Sequence, residues 1–121
     1  IRSFTYVDDV VESMVRLIST PAQGNSDWDG KNPDPASSEA PFQIFNVGGA
    51  EAVELKRFVQ ILETCLGKTV PKELLPLQPG DVPRTEANVQ SLLEAVNWQA
   101  EVSIEDGISR FCEWFKQYYG T

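Results

Sequence analysis

The chain has 121 residues, of which 41% are hydrophobic and 23% charged, a balance that suits one modest folded domain and excludes wholesale disorder. Its net charge of −8, from 18 acidic and 10 basic residues, argues against nucleic acid and against anionic membranes as partners, while leaving room for one or two arginines to hold a phosphate. Histidine is absent, which removes the commonest general base and metal ligand, and with it the usual catalytic triad and zinc sites.

No apolar run approaches the ~18 residues of a membrane span and no signal peptide is visible, so a cytoplasmic protein is expected. The first residue is Ile1 rather than Met and stands at the start of a strand-like run, which reads as a fragment. The pattern gives one domain over residues 1–121, interrupted by a long irregular loop at 19–41.

In chain order, Arg2 to Val7 alternates polar and apolar residues, with Phe4 and Tyr6 on one face, and predicts a short half-buried strand. Asp8 and Asp9 then open a helix whose apolar stripe is Val7, Val10, Val11, Met14, Val15 and Ile18. The two acids suit the positive end of the helix dipole, a role that outweighs catalysis for them. From Ser19 to Pro41 no period survives, and Trp28 is the one large apolar group able to anchor the segment.

Phe42 to Val47 is the strongest predicted strand, and it ends at Gly48-Gly49. Strand, glycines and helix suggest a nucleotide turn, but Gly48-Gly49-Ala50 lacks the G-x-G-x-x-G spacing, so cofactor binding is not expected there. Leu55, Phe58, Val59, Leu62 and Leu66 form the apolar face of a second helix that stops at Gly67. Val70 to Leu77 looks strand-like. Asn88 can cap a short helix through Leu92, Leu93 and Val96, which Asn97 ends in the left-handed conformation. Ser103 with Asp106 forms a capping-box variant and opens the longest amphipathic run, whose rings Phe111, Phe115, Tyr118 and Tyr119 read as core formers. Cys65 and Cys112 fall on the apolar stripes of two helices and read as buried reduced thiols rather than a disulfide.

The stretch with most chemistry is Leu77-Gln78-Pro79-Gly80-Asp81-Val82-Pro83-Arg84. Pro79 presets φ for a turn, and Gly80 can take the positive φ that a type II turn requires at its third position. Asp81 and Arg84 then leave a stiff loop close together, one an acceptor and one a forked donor. A surface turn with an ion pair and a ligand-holding loop both fit these residues.

Three stretches together resemble a known family. Arg2-Ser3-Phe4-Thr5-Tyr6-Val7-Asp8-Asp9-Val10 resembles the R-D-F-T-Y-V-D-D-I segment of extended short-chain dehydrogenase/reductases that act on nucleotide sugars. Phe45-Asn46-Val47-Gly48 resembles their Y-N-I-G strand end. Pro76 to Val82, followed by Thr85 and Ala87-Asn88, resembles the P-L-Q-P-G-D-V…T…A-D run of UDP-glucuronate 4-epimerases. The loop that ends Ser38-Glu39-Ala40-Pro41-Phe42 is similar to that group's insertion, and the tail from Trp98 to Phe115 fits as well.

The resemblance implies a small α/β (α+β-like) domain of about four helices and a few short strands, the C-terminal part of a Rossmann-type enzyme whose Rossmann half is absent. It implies that the intact enzyme carries NAD and its Ser/Thr and Tyr-x-x-x-Lys catalytic set on the N-terminal Rossmann domain, with no catalytic or metal-binding residue in this chain. In such an enzyme a tyrosinate takes the 4-hydroxyl proton, hydride passes from C4 to NAD, and the 4-keto sugar turns over before hydride returns. The resemblance assigns Arg2 to the diphosphate and Asp81 to a ribose hydroxyl, and adds Gln78, a neutral contact where many relatives carry a second arginine; Arg84, the loop's forked donor, joins them as a substrate-binding candidate. Ser3 replaces the usual aspartate. The implied partners are a UDP-sugar, the chain's own N-terminal Rossmann domain and, in addition, a homodimer. The fragment by itself is expected to be inactive and not to bind NAD. A free-standing binding domain that kept the fold without the chemistry is the alternative, as is part of a nucleotide-sugar dehydratase or decarboxylase.

Overall fold

Four amphipathic stretches fold as helices, and the connections between them turn or run extended over the surface. The computed structural model describes residues 1–49 and 51–120. In order, β1 (Arg2–Ser3) leads into α1 (Val7–Ile18), a long loop, β2 (Ala52–Val53), α2 (Leu55–Leu66), a second long connection, α3 (Gln90–Val96) and α4 (Ile104–Tyr119). β1 and β2 pair antiparallel, with Arg2 opposite Val53 and Ser3 opposite Ala52. Among the described residues, four helices with a two-stranded sheet agree with the small mixed α/β class expected.

Local chemistry sets the helix ends. Ser103 accepts the Asp106 N–H at 3.1 Å, as the capping-box pattern requires. α2 ends in a Schellman arrangement: Gly67 stands at φ 66°, Lys68 N–H reaches Glu63 O at 3.2 Å and Gly67 N–H reaches Thr64 O at 3.3 Å. Asn97 closes α3 in the left-handed conformation at φ 48°. Asn88 lies just ahead of that helix, and its side chain accepts the Gln90 N–H at 3.1 Å.

Two apolar clusters hold the elements. Ile61 of α2 meets Ile108 and Cys112 of α4, with Phe58, Leu62, Cys65 and Ile104 packed around them. Phe4 stacks on Phe58 at 4.4 Å between ring centroids, which ties the β1–α1 junction to this cluster. Leu92, Trp98 and Ala100 form the second cluster, covered by Leu17, Phe45, Val47 and Val96. On α1, Ser13 has no exposed surface, and its hydroxyl donates to Val10 O at 2.7 Å.

Several expectations are corrected. The first strand stops at Ser3, because Tyr6 already serves as the N-cap of α1. Phe42 to Val47 is extended but forms no ladder; among the described residues its main-chain partner is Ala36 O, which accepts Ile44 N–H at 2.9 Å in an isolated bridge between Ser37 and Gln43. Val70 to Leu77 likewise pairs with no strand, and Leu74 is 93% exposed. A strand requires a neighbour to satisfy its backbone, and among the described residues neither segment has one beyond that single bridge. The stripe on α1 is also inverted relative to the core. Val7, Val11, Met14, Val15 and Ile18 face outward, while Asp9 and Ser13 are buried. On α4, Phe111, Tyr118 and Tyr119 are exposed rather than core formers, and Phe111, Trp114 and Tyr118 make a surface ladder with centroids 5.7 and 5.4 Å apart.

The 19–41 loop is built from its own polar side chains. Asn25, Asp29 and Asp34 each accept a main-chain N–H two residues on, which makes three Asx turns. Trp28 donates its indole N–H to Asp34 O at 3.1 Å and lies against Gly30, so it anchors the loop to itself.

Candidate functional site

The Gln78–Asp81 turn forms as its residues dictate. Asp81 N–H donates to Gln78 O at 3.1 Å, and Gly80 between them stands at φ 87°, the third position of a type II turn. Every residue from 71 to 86 is exposed, so the loop is held by its contacts with the start of the chain. Main-chain nitrogen of Ile1 donates to Pro83 O at 2.7 Å, Thr85 N–H donates to Ile1 O at 3.2 Å, and Arg2 bridges Thr85 in parallel.

These bonds bring Arg2 over the loop. Its Nη2 donates to Asp81 Oδ1 at 2.7 Å and its Nη1 to Ile1 O at 2.9 Å. Asp81 also accepts the N–H of Val82 at 2.9 Å, which fixes the carboxylate under the guanidinium. Both side chains remain well exposed, at 35% and 48%, so the pair contributes only about 0–1 kcal/mol to stability. Its consequence is positional: a guanidinium with donors to spare is held beside a rigid turn, facing solvent.

Gly48 and Gly49 make this assembly fit. A Cβ on Gly49 would lie 1.8 Å from Phe4 O, and one on Gly48 would lie 2.6 Å from Ala87 Cβ. Ser3 Oγ donates to Gly49 O at 3.3 Å, and Asn46 Nδ2 donates to Asn88 O at 3.3 Å. The glycines therefore let three main-chain segments approach one another: β1, the end of the 42–47 segment, and the stretch after Arg84.

Arg84 does not face Asp81. It makes a two-pronged ion pair with Glu86, Nε to Oε2 at 2.8 Å and Nη2 to Oε1 at 2.7 Å, which raises the guanidinium pKa and lowers that of the carboxyl. Gln78 turns its amide back to Pro76 O at 3.4 Å. Of the four residues singled out in the sequence, the fold thus joins Arg2 to Asp81, leaves Gln78 on the same turn, and ties Arg84 to a different acid. The Arg2–Asp81 pairing spans 79 positions and carries no local signal, whereas Glu86 two residues after Arg84 was in plain view.

An apolar cavity of about 510 Å³ opens elsewhere, lined by Phe4, Tyr6, Val7, Phe58, Ile108 and Phe111 among others. No charged side chain lines it, so it does not suit a phosphate. No group of acidic residues and cysteines among the described residues is arranged to hold a metal ion.

No family model matches the chain. It is similar to Protein CapI of Staphylococcus aureus, 46% identical over 118 residues, and to a probable UDP-glucuronate 4-epimerase of Rhizobium meliloti, 43% identical over 119 residues. Each alignment covers 98% of this chain and 35% of the relative; the chain spans about a third of the curated relatives it matches. The fold is similar to a crystal structure of a variant UDP-glucuronic acid 4-epimerase from Bacillus cereus in complex with UDP-4-deoxy-4-fluoro-glucuronic acid and NAD, with a TM-score of 0.71, 26% identity, and coverage of 98% of this chain and 32% of that one. The region shared with these proteins is their C-terminal portion. Over nearly its whole length the chain is similar to UDP-glucuronate 4-epimerase-like proteins, and it corresponds to the C-terminal part of their fold.

Proposed function

We propose that this chain forms the UDP-sugar-binding part of an NAD-dependent 4-epimerase, with UDP-glucuronate as the nucleotide sugar. The observation that carries this reading is the Arg2–Asp81 pair on the 78–85 turn, where a donor fork and an acceptor sit side by side in solvent. In this reading Arg2 meets the diphosphate with charge-assisted hydrogen bonds, and Asp81 accepts from a ribose hydroxyl. Gln78 adds a neutral contact on the same turn. Arg84, occupied by Glu86, acts as a peripheral cation.

The residues present do not fit a dinucleotide. The glycine pair after the 42–47 segment packs against Phe4 and Ala87 and lacks the G-x-G-x-x-G spacing of a dinucleotide turn. NAD and the reacting groups therefore belong to the part of the enzyme that this chain does not span, and the residues here bind and orient the nucleotide end. Restricting the substrate matters for epimerisation, in which the oxidised sugar has to turn over without leaving. The outward stripe of Val7, Val11, Met14, Val15 and Ile18 on α1 supports docking against a nucleotide-binding half, since such a face is costly to leave in water.

Titration with UDP tests the reading. Each charge-assisted bond to the diphosphate is worth roughly 1.5–3 kcal/mol, so Arg2→Ala should weaken UDP binding about ten-fold or more. Asp81→Asn should cost less, because an amide oxygen still accepts from a hydroxyl. Equal UDP affinity in wild type and Arg2→Ala would remove the diphosphate from this loop.

A further inference from the structure

The helix pair α2–α4 contains a second kind of chemistry. Cys65 lies in the last turn of α2 and Cys112 in the middle of α4, and both belong to the cluster built on Ile61 and Ile108. Cys112 is 2% exposed, whereas Cys65 keeps partial access to solvent. Both thiols pack into the same contact between α2 and α4. Burial and that neighbouring sulfur push the Cys112 thiol up, while the Lys116 ammonium, itself bonded to Cys65 O at 2.9 Å, pulls it back down. Two free thiols facing each other across one helix contact, one reachable and one sheltered, with a cation alongside, are the ingredients of an oxidisable pair.

We propose that Cys65 and Cys112 form a redox-modifiable pair, which a peroxide oxidant converts into an intramolecular disulfide between α2 and α4. Cys65 reacts first, because it is the thiol that solvent reaches. Its sulfur attacks one peroxide oxygen; the S–O bond forms, the O–O bond breaks, and the departing hydroxide takes a proton to become water. Cys112 sulfur then attacks the Cys65 sulfenic acid. The S–S bond forms, the S–O bond breaks, and the second oxygen leaves as water with the Cys112 proton. One peroxide is reduced to two waters, and two thiols are oxidised to one disulfide. The covalent loop so closed runs from residue 65 to residue 112 and contains the whole Gln78–Arg84 turn as well as α3.

The test treats the folded chain with hydrogen peroxide, then reads intact mass, thiol count and non-reducing peptide maps. Wild type should lose about 2 Da and both titratable thiols, yield a Cys65–Cys112 linked peptide pair, and return to its starting mass with a dithiol reductant. Its thermal midpoint should rise on oxidation and fall back on reduction. Cys65→Ser should leave Cys112 unmodified under the same treatment. Cys112→Ala should stop at Cys65 oxygen adducts, gaining about 16 or 32 Da. Wild type that gains oxygen on one cysteine while the other stays free would overturn the proposal. So would a disulfide-linked dimer, or two thiols that persist in the native chain. Because wild type alone yields the linked peptide, the result stands even if a variant at the sheltered position folds poorly.

Discussion

Asp9 is nearly buried, and its two carboxylate oxygens accept from the main-chain N–H groups of Glu101 at 3.4 Å and Val102 at 3.1 Å. It therefore stitches the first turn of α1 to the strand-like approach to α4, across more than ninety positions of sequence. Hydrogen bonds to a charged acceptor are worth about 1.5–3 kcal/mol, and the longer of these two is weak. Asp9→Ala should destabilise the fold by about 2 kcal/mol in urea unfolding. Asp8, exposed and 3.9 Å from Arg110, is the control: its alanine variant should cost about 0–1 kcal/mol. Equal costs for the two would mean that the dipole role read from their positions applies to both. The adjacent Asp-Asp gives no sign of this division, because the acceptor role depends on a segment that arrives from the other end of the chain.

At the scale of elements, the helices were legible and the strands were not. Helix ends rest on contacts within a few residues, as at Ser103–Asp106, Gly67 and Asn97, so the sequence displays them directly. The 42–47 and 70–77 segments have suitable side chains, but a ladder needs a second backbone that local sequence cannot supply. The direction of each apolar stripe was a separate matter. Periodicity identified the α1 stripe, yet the packed side is the one bearing Asp9, Ser13 and Leu17. Introducing charge there gives a direct check. The double variant Val11→Asp with Val15→Asp should unfold in urea within about 0.5 kcal/mol of wild type, as expected for surface positions. The same change should abolish association with a separately produced nucleotide-binding half, measured by co-purification. A large loss of stability, or unimpaired association, would rule out the docking role of α1.

Across the whole molecule the charge is strongly negative, and several acids depend on a partner. Asp34 is held below the usual carboxylate range by the Ala36 N–H and the Ser37 hydroxyl; Glu63 by Lys72 and the Val70 N–H; Glu86 by Arg84; and Glu105 by Arg57. A lowered folded-state pKa means these groups favour the fold above their unfolded values. That contribution disappears as pH drops through the lowered folded-state values. The melting temperature should accordingly hold steady near neutrality and decline once pH enters and passes below the carboxylate range. Added salt should shrink the decline, since Asp34, Glu86 and Glu105 are exposed and Glu63 alone is half-buried. A melting temperature unchanged down to strongly acidic pH would show that these pairs contribute nothing.

The seat of β1 also governs when the 78–85 turn can exist. Arg2 and Ile1 reach partners 79 and 82 positions away, and β1 finds its sheet neighbour only at Ala52–Val53. Contacts this distant in sequence close late, after local helices have formed and the loop-closure entropy of the intervening chain has been overcome. On the ribosome, Arg2 leaves the exit tunnel long before the residues that will hold it. The helices can be complete while the 78–85 turn still has nothing to rest against, so the surface around Arg2 and Asp81 is among the last parts of this chain to acquire its shape.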